Sequence, residues 1–356
     1  MSPFQEDPII VIGAGVTGLS VATLLQSQYP EIRITIIAAE TPTTTSPSAD
    51  YASMWAGAHY RPIAGSTAQL KQEAEMAQRT AKVMRRIAQE SPEAGVAFLQ
   101  GVEYLEDPPE EILRLKTGDV YASTNDEFRV LEHAELPFGA KWGCEYRTWC
   151  VNVQPYCQWL LDRFITNGGQ LIGHRLSSAA DAFDFARQIG LGRVKIIVNC
   201  SGRNFDQDPK VKIIRGQTVL VKQRYSKTVT RQNRDGTWTF LIPRPNGGGT
   251  IVGGTKEIGD PETRPRPETR QKLLEQAAQA YPDFVDSVDK FEVLKENVGR
   301  RPWREGGFRI ETESVAPGQR IVHGYGGGGR GYELSWGAAE RIVELVKASA
   351  PAKARL

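Results

Sequence analysis

The chain has few of the residues from which metal centres and disulfide frameworks are built. Of its 356 residues only four are cysteine and four are histidine. The cysteines, Cys144, Cys150, Cys157 and Cys200, form no Cys-x-x-Cys pair, and the histidines do not cluster with carboxylates at the spacing of metal ligands. We therefore expect no metal site and free thiols in a reducing compartment, with a Cys144–Cys150 disulfide left open.

Long apolar runs and an excess of charge are also missing. No stretch approaches the roughly 18 to 20 consecutive apolar residues of a membrane-spanning helix. The net charge of +2 leaves no basic stripe for nucleic acid. Residues 1–7 lack the basic and apolar regions of a signal peptide. The sequence therefore predicts contact with neither membrane nor nucleic acid, and its length suits two domains or one large α/β unit.

Glycine, in contrast, is plentiful, and one group of glycines follows the first apolar run. Ile9–Ile12 precedes Gly13-Ala14-Gly15-Val16-Thr17-Gly18, a helical apolar pattern and a second β-branched run at 32–37. Glu40 then lies at about the 20-residue distance expected for the acidic residue of a dinucleotide fold. In that fold the first glycine permits a tight turn, the second lets the backbone approach a pyrophosphate, and the third allows close packing of helix on strand.

A second group of glycines lies near the other end of the chain. Six of the eight residues from 324 to 331 are glycine, and a helical apolar pattern follows. Glycine weakens both helices and strands, so this run predicts a loop. The loop is either flexible or a surface whose backbone approaches a flat group and offers N–H groups to an anion. The N-terminal fingerprint suits NAD and FAD equally.

Several short motifs together resemble the D-amino-acid oxidase family, which includes D-aspartate oxidases. They are Val11–Leu19, Trp55–Gly57, Asn199–Gly202, Arg215–Gln217, Ile242–Pro245, Gly253–Thr255, Arg301-Pro302 and the glycine run through to Ala339. The resemblance implies an α/β fold, with an FAD-binding Rossmann-like domain and an inserted, mainly antiparallel β-sheet substrate domain. The expected boundaries are 1–62, 141–205 and 300–350 for the first, 63–140 and 206–299 for the second, and 351–356 for a flexible tail.

The resemblance also implies FAD, bound non-covalently. The N-terminal glycines would hold the pyrophosphate and Glu40 the ribose, while the segment 53–58 would line the flavin near N5. Val153 and Ser201 would lie near the adenosine half, and the glycine run against the isoalloxazine ring. The expected cofactor-binding residues are Gly13, Ala14, Gly15, Val16, Thr17, Gly18, Glu40, Ser53, Met54, Ala56, Gly57, Val153, Ser201, Gly202, Arg301, Gly326, Gly327, Gly328, Gly329, Arg330 and Gly331.

The expected catalytic residues centre on Arg301. The family uses an arginine immediately before a proline to bind the substrate carboxylate, and a guanidinium can make two parallel hydrogen bonds. Phe240 stands where the family usually has a tyrosine, so one hydrogen bond to the substrate is lost. Tyr225 or Trp238 could supply a wall or polar tip, or simply pack. Gly329 and Arg330 complete the set, and Arg330 faces either an acidic substrate side chain or Glu333.

The implied reaction is oxidative deamination of a D-amino acid. Hydride passes from the substrate Cα to flavin N5 and the flavin is reoxidised by O₂, giving a 2-oxo acid, ammonia and H₂O₂. Two alternatives stay open, a flavin amine oxidase or dehydrogenase acting on glycine or sarcosine, and a non-catalytic flavoprotein.

The end of the chain carries a separate signal. Ala354-Arg355-Leu356 resembles a peroxisomal address, which predicts an import receptor as a partner and a peroxisomal location, with a cytoplasmic one otherwise. A homodimer is also left open.

Overall fold

The chain folds into two compact units, each assembled from separate segments. In a computed structural model that describes residues 7–63, 66–117 and 126–350, the first unit comprises Met1–Met54, Cys157–Lys212 and Arg301–Leu356. The second comprises Trp55–Tyr156 and Ile213–Arg300. The strands are β1 (Ile9–Ile12), β2 (Ile34–Ala38), β3 (Val96–Leu105), β4 (Asp126–Val130), β5 (Trp142–Val151), β6 (Gln170–Gly173), β7 (Ile196–Asn199), β8 (Val211–Val221), β9 (Thr228–Gln232), β10 (Trp238–Pro243), β11 (Thr250–Gly253), β12 (Glu257–Ile258), β13 (Val293–Arg304), β14 (Arg309–Ala316) and β15 (Gln319–Tyr325). The helices are α1 (Val16–Gln28), α2 (Ala68–Glu90), α3 (Glu110–Leu113), α4 (Val153–Thr166), α5 (Asp181–Gln188), α6 (Pro267–Ala280) and α7 (Gly331–Ser349).

The first unit is built on a six-stranded sheet in the order β14-β15-β7-β1-β2-β6. β1, β2, β6, β7 and β15 run parallel, and β14 is antiparallel to β15 at the edge. β1, β2 and β7 are buried along their whole length, as their apolar, β-branched composition predicts. α5 packs on one face of this sheet, and α1 packs against α7. The predicted Rossmann-like α/β class is confirmed.

The second unit is built on a nine-stranded, mainly antiparallel sheet, in which β3 and β9 form a parallel pair. Its core lies between this sheet and α6, where Leu273, Leu274 and Ala277 pack against Val229 and Leu241. Residues 55–62 and 141–156, which the sequence reading assigned to the FAD-binding segments, lie in this unit. Residues 141–156 lie in the second unit because β5, which they contain, pairs with β3 along its whole length.

The segment 57–61 lies across the other face of this sheet. We call this face of the sheet the Phe240 face, because Trp238, Phe240 and Ile242 of β10 lie on it. His59 makes a 2.6 Å hydrogen bond through Nδ1 to Thr228 Oγ1, and that hydroxyl donates to the Leu241 carbonyl at 3.1 Å. With the hydroxyl hydrogen already used, Nδ1 of His59 must be the donor. Burial lowers the pKa of His59 to about 3, so the ring is neutral.

The buried neutral histidine makes stability depend on pH. Below about 6.5 the unfolded chain protonates His59, whereas the folded chain does so only near pH 3. The contribution of neutral His59 to the free energy of unfolding is therefore fully present above pH 6.5. It decreases as the pH falls toward 3, by up to about 1.4 kcal/mol per pH unit. We expect H59N, whose amide can replace the Nδ1 donor, to show a shallower decline in urea unfolding between pH 6.5 and 4. The exposed His133 supplies the control variant H133N, and equal slopes in wild type and H59N would contradict the prediction.

Candidate functional site

The three glycines of the N-terminal motif are required for different reasons. Gly13 has a φ of +96°, and a Cβ there would lie 2.6 Å from the carbonyl oxygen of Cys200. At Gly18 a Cβ would lie 2.0 Å from the Gly13 carbonyl oxygen, because α1 crosses β1 at close range. At Gly15 the nearest atom would be the flexible Ser53 Oγ at 3.0 Å, and φ is −74°. The fold therefore excludes a side chain at Gly13 and Gly18, whereas the Gly15 position keeps the space before α1 open.

The turn Ala52–Trp55 is fastened to this motif. The Val16 N–H donates to Ser53 Oγ at 3.0 Å, and the Tyr51 hydroxyl donates to the Ala14 carbonyl at 2.5 Å. The Tyr332 hydroxyl, on α7, donates to the Ser53 carbonyl at 2.8 Å. Met54 is buried in the turn, and Thr17 is half-buried in the first turn of α1. The sequence reading missed both tyrosines, because nothing in the local pattern identifies their carbonyl acceptors.

Two helix N-termini meet at the carboxyl edge of the parallel sheet. α1 follows β1, α7 follows β15, and a Cβ on Gly331 would lie 3.8 Å from Cγ1 of Val16. Unpaired N–H groups and the helix dipole make each N-terminus favourable for negative charge. The first turn of α1 contains no charged side chain, whereas the first turn of α7 contains Glu333, which is paired with Arg330 at the N-cap. An anionic nucleotide fits this arrangement.

The C-terminal glycine run is a packed surface. Gly326 has a φ of +86°, and a Cβ there would lie 2.7 Å from Cβ of Arg304. A Cβ on Gly327 would lie 2.9 Å from the Phe308 ring. The Gly326 N–H donates to the Gly202 carbonyl at 3.2 Å, which joins the run to the turn after β7. The run is therefore closely packed against neighbouring residues, and Gly328 to Arg330 form a single helical turn; that it lies against a flat group stays a prediction.

Arg301 lies beside the glycine run. Its Cδ would be 3.7 Å from a Cβ on Gly329, so the aliphatic part of the side chain passes along that residue. Pro302 lies close to Gly202, whose Cβ would be 3.6 Å from the proline Cγ. Arg330 Nε donates to Glu333 Oε2 at 2.8 Å, and the two side chains are 17% and 10% exposed. Glu333 is thus the carboxylate that Arg330 faces in this structure.

Ser201 is backed by a buried polar network that the sequence reading did not foresee. The Asn204 N–H donates to Ser201 Oγ at 3.1 Å, and the Ser201 N–H donates to Asn199 Oδ1 at 3.2 Å. Asn199 also contacts His323, whose pKa is lowered by burial. The available signal was a polar residue at the carboxyl end of an apolar strand, in Ile196–Asn199 and again in Ile321–His323.

Glu40 lies just beyond β2 and is half-buried. Its two carboxylate oxygens accept hydrogen bonds from the Ser48 N–H and Oγ, each at 2.6 Å. Each oxygen of a carboxylate can accept more than one hydrogen bond, so ribose hydroxyls could still be accommodated there.

The remaining predicted residues belong to the second unit. Phe240 is half-buried, and its ring covers Gly253, where a Cβ would lie 2.2 Å from the ring Cζ. The Ala56 carbonyl accepts from Arg244 Nη2 at 3.1 Å, and a Cβ on Gly57 would lie 2.6 Å from Ile242 Cδ1. Val153 is fully buried at the first residue of α4.

Tyr225 is not brought together with Phe240. Its hydroxyl donates to Asp283 Oδ2 at 2.7 Å, and its ring meets Phe284 edge-on with centroids 5.1 Å apart. It packs against the cluster beneath α6, on the face of the sheet opposite to Phe240. The structure therefore gives Tyr225 a packing environment and a carboxylate partner.

The other sequence-based expectations concern metals, membranes, cysteines and the terminus. Across residues 7–63, 66–117 and 126–350, no group of three or more His, Cys, Asp or Glu residues could hold a metal ion. Within the same ranges no helix is long and apolar enough to cross a membrane. All four cysteines are free and buried, and burial raises the pKa of each thiol. The terminal Ala354-Arg355-Leu356 lies outside the described residues and stays a prediction.

Comparison with known proteins places this site in a family. A D-aspartate oxidase from Talaromyces thermophilus is 53% identical over 360 residues, which cover 97% of this chain and 96% of that protein. A D-amino-acid oxidase from Fusarium vanettenii is 33% identical, covering 99% of this chain and all of that protein. The fold is similar to that of glycine oxidase from Bacillus cereus, with a TM-score of 0.71 at 15% identity, covering 96% of this chain and 95% of that one.

The family model described as DAO, FAD dependent oxidoreductase, matches residues 8–345. That range includes both glycine motifs, the turn that joins them and Arg301. The chain therefore belongs to the DAO family of FAD dependent oxidoreductases.

Proposed function

We propose that this protein is an oxidase of D-amino acids, including acidic ones, that uses non-covalently bound FAD. The observation that carries the proposal is the position of Arg301 beside Gly329, in the loop that leads into the N-terminus of α7. A buried or half-buried arginine is suited to a carboxylate because its planar fork makes two parallel charge-assisted hydrogen bonds. The 53% identity to a D-aspartate oxidase supports the substrate class.

The residues that would hold FAD are those around the two helix N-termini. Gly15 and the first turn of α1 would receive the pyrophosphate, Glu40 the ribose, and Ser201 and Val153 the adenosine half. The segment 53–57 and the run 326–331 would contact the isoalloxazine ring. When bound, FAD supplies the two-electron acceptor for the hydride of the substrate Cα, and O₂ takes up those electrons as H₂O₂.

The protein's own contribution would be orientation. Arg301 holds the α-carboxylate and so fixes which hydrogen of Cα points at the acceptor. Phe240 offers an apolar wall without the hydroxyl that a tyrosine would add. The product imino acid hydrolyses in water to a 2-oxo acid and ammonia, which requires no further side chain. Because the amine must be neutral for hydride transfer, we expect the rate of reduction to rise with pH.

Two other functions would give different results in one experiment. The holoenzyme is mixed anaerobically with the D and L forms of alanine, phenylalanine, aspartate and lysine, and separately with glycine and sarcosine, and bleaching of the flavin is followed. A D-amino-acid oxidase is bleached stereoselectively. An enzyme of glycine or sarcosine type is bleached by glycine or sarcosine and shows no preference for the D form of the other amino acids, and a non-catalytic flavoprotein is bleached by none of them.

A peroxisomal location would suit an enzyme that releases H₂O₂. We propose that an import receptor reads Ala354-Arg355-Leu356. A fluorescent fusion that keeps this terminus should co-localise with peroxisomes, and deletion of the three residues should leave it in the cytoplasm. An unchanged distribution after deletion would overturn this assignment.

The open space at Gly15 predicts a selective effect on cofactor affinity. G15A should fold, since a shift of a few tenths of an ångström by Ser53 Oγ, which accepts from the Val16 N–H, makes room for the methyl group, and that methyl group would occupy the path of the pyrophosphate. We expect the Kd for FAD to rise at least about 10-fold, a loss of roughly 1.4 kcal/mol, by flavin fluorescence titration. G173A, at the end of β6 with no atom within 4 Å of the added Cβ, is the control. If G15A bound FAD with the affinity of the wild type, the prediction that the pyrophosphate lies at Gly15 would be wrong.

Arg301 should be needed for reduction by substrate. Two charge-assisted hydrogen bonds contribute about 1.5–3 kcal/mol each, so R301A should slow anaerobic bleaching about 10²- to 10⁴-fold at saturating FAD. The neighbouring Arg300, which donates to the Pro261 carbonyl, provides the control R300A. If R301A were reduced as readily as wild type, the carboxylate assignment would fail.

A further inference from the structure

A row of polar side chains crosses the sheet of the first unit near its carboxyl edge. His323 on β15 lies directly opposite Asn199 on β7 and Glu311 on β14. Glu313 follows Glu311 by two residues and so lies on the same face. The apolar residues two positions earlier on β7 and β15 belong to the cluster that packs on α5. This face therefore changes from apolar to polar where the parallel strands end, which is the edge at which α/β sheets bind ligands.

The Glu313 carboxylate determines which nitrogen of His323 carries the proton. A carboxylate can only accept, so His323 Nε2 donates to Glu313 Oε2 at 2.9 Å. The His323 side chain is 3% exposed, and burial lowers the pKa of the ring, which is therefore neutral with Nδ1 as an acceptor. Asn199 Nδ2 donates to this Nδ1 at 3.3 Å. Glu311, directly opposite His323, is instead paired with Arg309 at 2.6 Å.

The orientation of the Asn199 amide is passed on to the turn after β7. Its Nδ2 also donates to Asn204 Oδ1 at 2.7 Å, and its Oδ1 accepts from the Ser201 N–H at 3.2 Å. A half-turn of this amide would set an acceptor against Nδ1 of His323 and a donor against the Ser201 N–H. The neutral histidine, with its proton on Nε2, therefore selects the amide orientation that holds Ser201.

Ser201 retains one donor that a ligand can use. Its Oγ accepts from the Asn204 N–H at 3.1 Å, and within residues 7–63, 66–117 and 126–350 its hydroxyl hydrogen has no protein acceptor. Ser201 is half-buried and lies beside the first glycine motif, because a Cβ on Gly13 would be 3.6 Å from its Cα. The next residue, Gly202, accepts at its carbonyl from the Gly326 N–H at 3.2 Å. The Ser201 hydroxyl thus lies in a turn that contacts both glycine motifs.

We propose that Glu313, His323 and Asn199 are positioning residues for the cofactor, which hold Ser201 so that its hydroxyl donates to an acceptor atom of the adenosine half of FAD. This inference rests on the proposed function, in which Ser201 lies near that half. The ligand class is an adenosine nucleotide, which offers ring nitrogens and ribose and phosphate oxygens as acceptors. Ser201 would make the contact, and the other three residues act through it.

Two variants of His323 separate the roles of its nitrogens. The side-chain amide of asparagine reaches about as far as Nδ1, and that of glutamine about as far as Nε2. H323N therefore keeps an acceptor for Asn199, whereas H323Q keeps only the donor to Glu313. In flavin fluorescence titrations of the full chain, we expect H323N to bind FAD within about 2-fold of wild type and H323Q to raise the Kd about 5- to 10-fold. Equal effects of the two variants would overturn the inference.

Glu313 and Glu311 provide a matched pair on one strand. E313A removes the carboxylate that holds the proton on Nε2 of His323, so we expect the Kd for FAD to rise about 3-fold. E311A removes a partner of Arg309 and the same charge, and should leave the Kd within about 1.5-fold of wild type. An equal rise in both variants would mean that charge at this edge sets the affinity, and would contradict the role given to His323.

S201A tests whether the effect of His323 passes through Ser201. We expect S201A to raise the Kd for FAD about 5- to 10-fold, and H323Q/S201A to raise it less than about 2-fold further, because both changes remove one contact. Losses that multiply, as a purely structural role of His323 would give, or wild-type affinity in S201A, would overturn the inference and leave bleaching by D-amino acids unchanged. A wild-type chain that binds no FAD would instead overturn the proposed function.

Discussion

The close crossing of α1 over β1 is the constraint on which the candidate site depends. With a hypothetical Cβ of Gly18 only 2.0 Å from the Gly13 carbonyl oxygen, only a residue without a side chain allows α1 to lie this close to the end of β1. That crossing fixes where the α1 N-terminus lies, and the contact between Val16 and Gly331 brings the start of α7 to the same place. Segments near the beginning and the end of the chain thus meet at one edge of the sheet, where both helix N-termini lie.

The glycine-rich segments are also held by specific contacts. Hydrogen bonds from Tyr51 and Tyr332 hold the turn at 52–55, and packing against Arg304 and Phe308 holds the C-terminal run. Rigidity suits a flavoenzyme, since the position of a carboxylate-binding arginine relative to the acceptor decides which substrate hydrogen is transferred. Their glycine content therefore reflects close packing and not an absence of contacts.

Sequence reasoning captured what is encoded locally. The strand–glycine–helix order predicted the Rossmann-like unit, because buried parallel strands and glycine-rich turns have strong local signatures. It could not find the ion pair between Arg61 and Glu103, because these residues are 42 positions apart and meet only in the folded chain. It also left Tyr225 undecided, because facing α6 or Phe240 depends on the sheet face and not on the residue type. For Arg330 the sequence left two partners open, an acidic substrate side chain and Glu333. Glu333 could be predicted because residues three positions apart are neighbours on a helix.

The four buried cysteines have a chemical consequence for an enzyme proposed to release H₂O₂. Peroxide oxidises the thiolate form of cysteine, and burial raises the pKa of Cys150, Cys157 and Cys200 to about 12. At neutral pH the thiolate fraction of these side chains is then about one in 10⁵, since each pH unit below the pKa reduces it tenfold. Small, polarisable cysteine side chains can thus be part of the core of an enzyme that produces an oxidant, because they are protonated and do not react with it as nucleophiles.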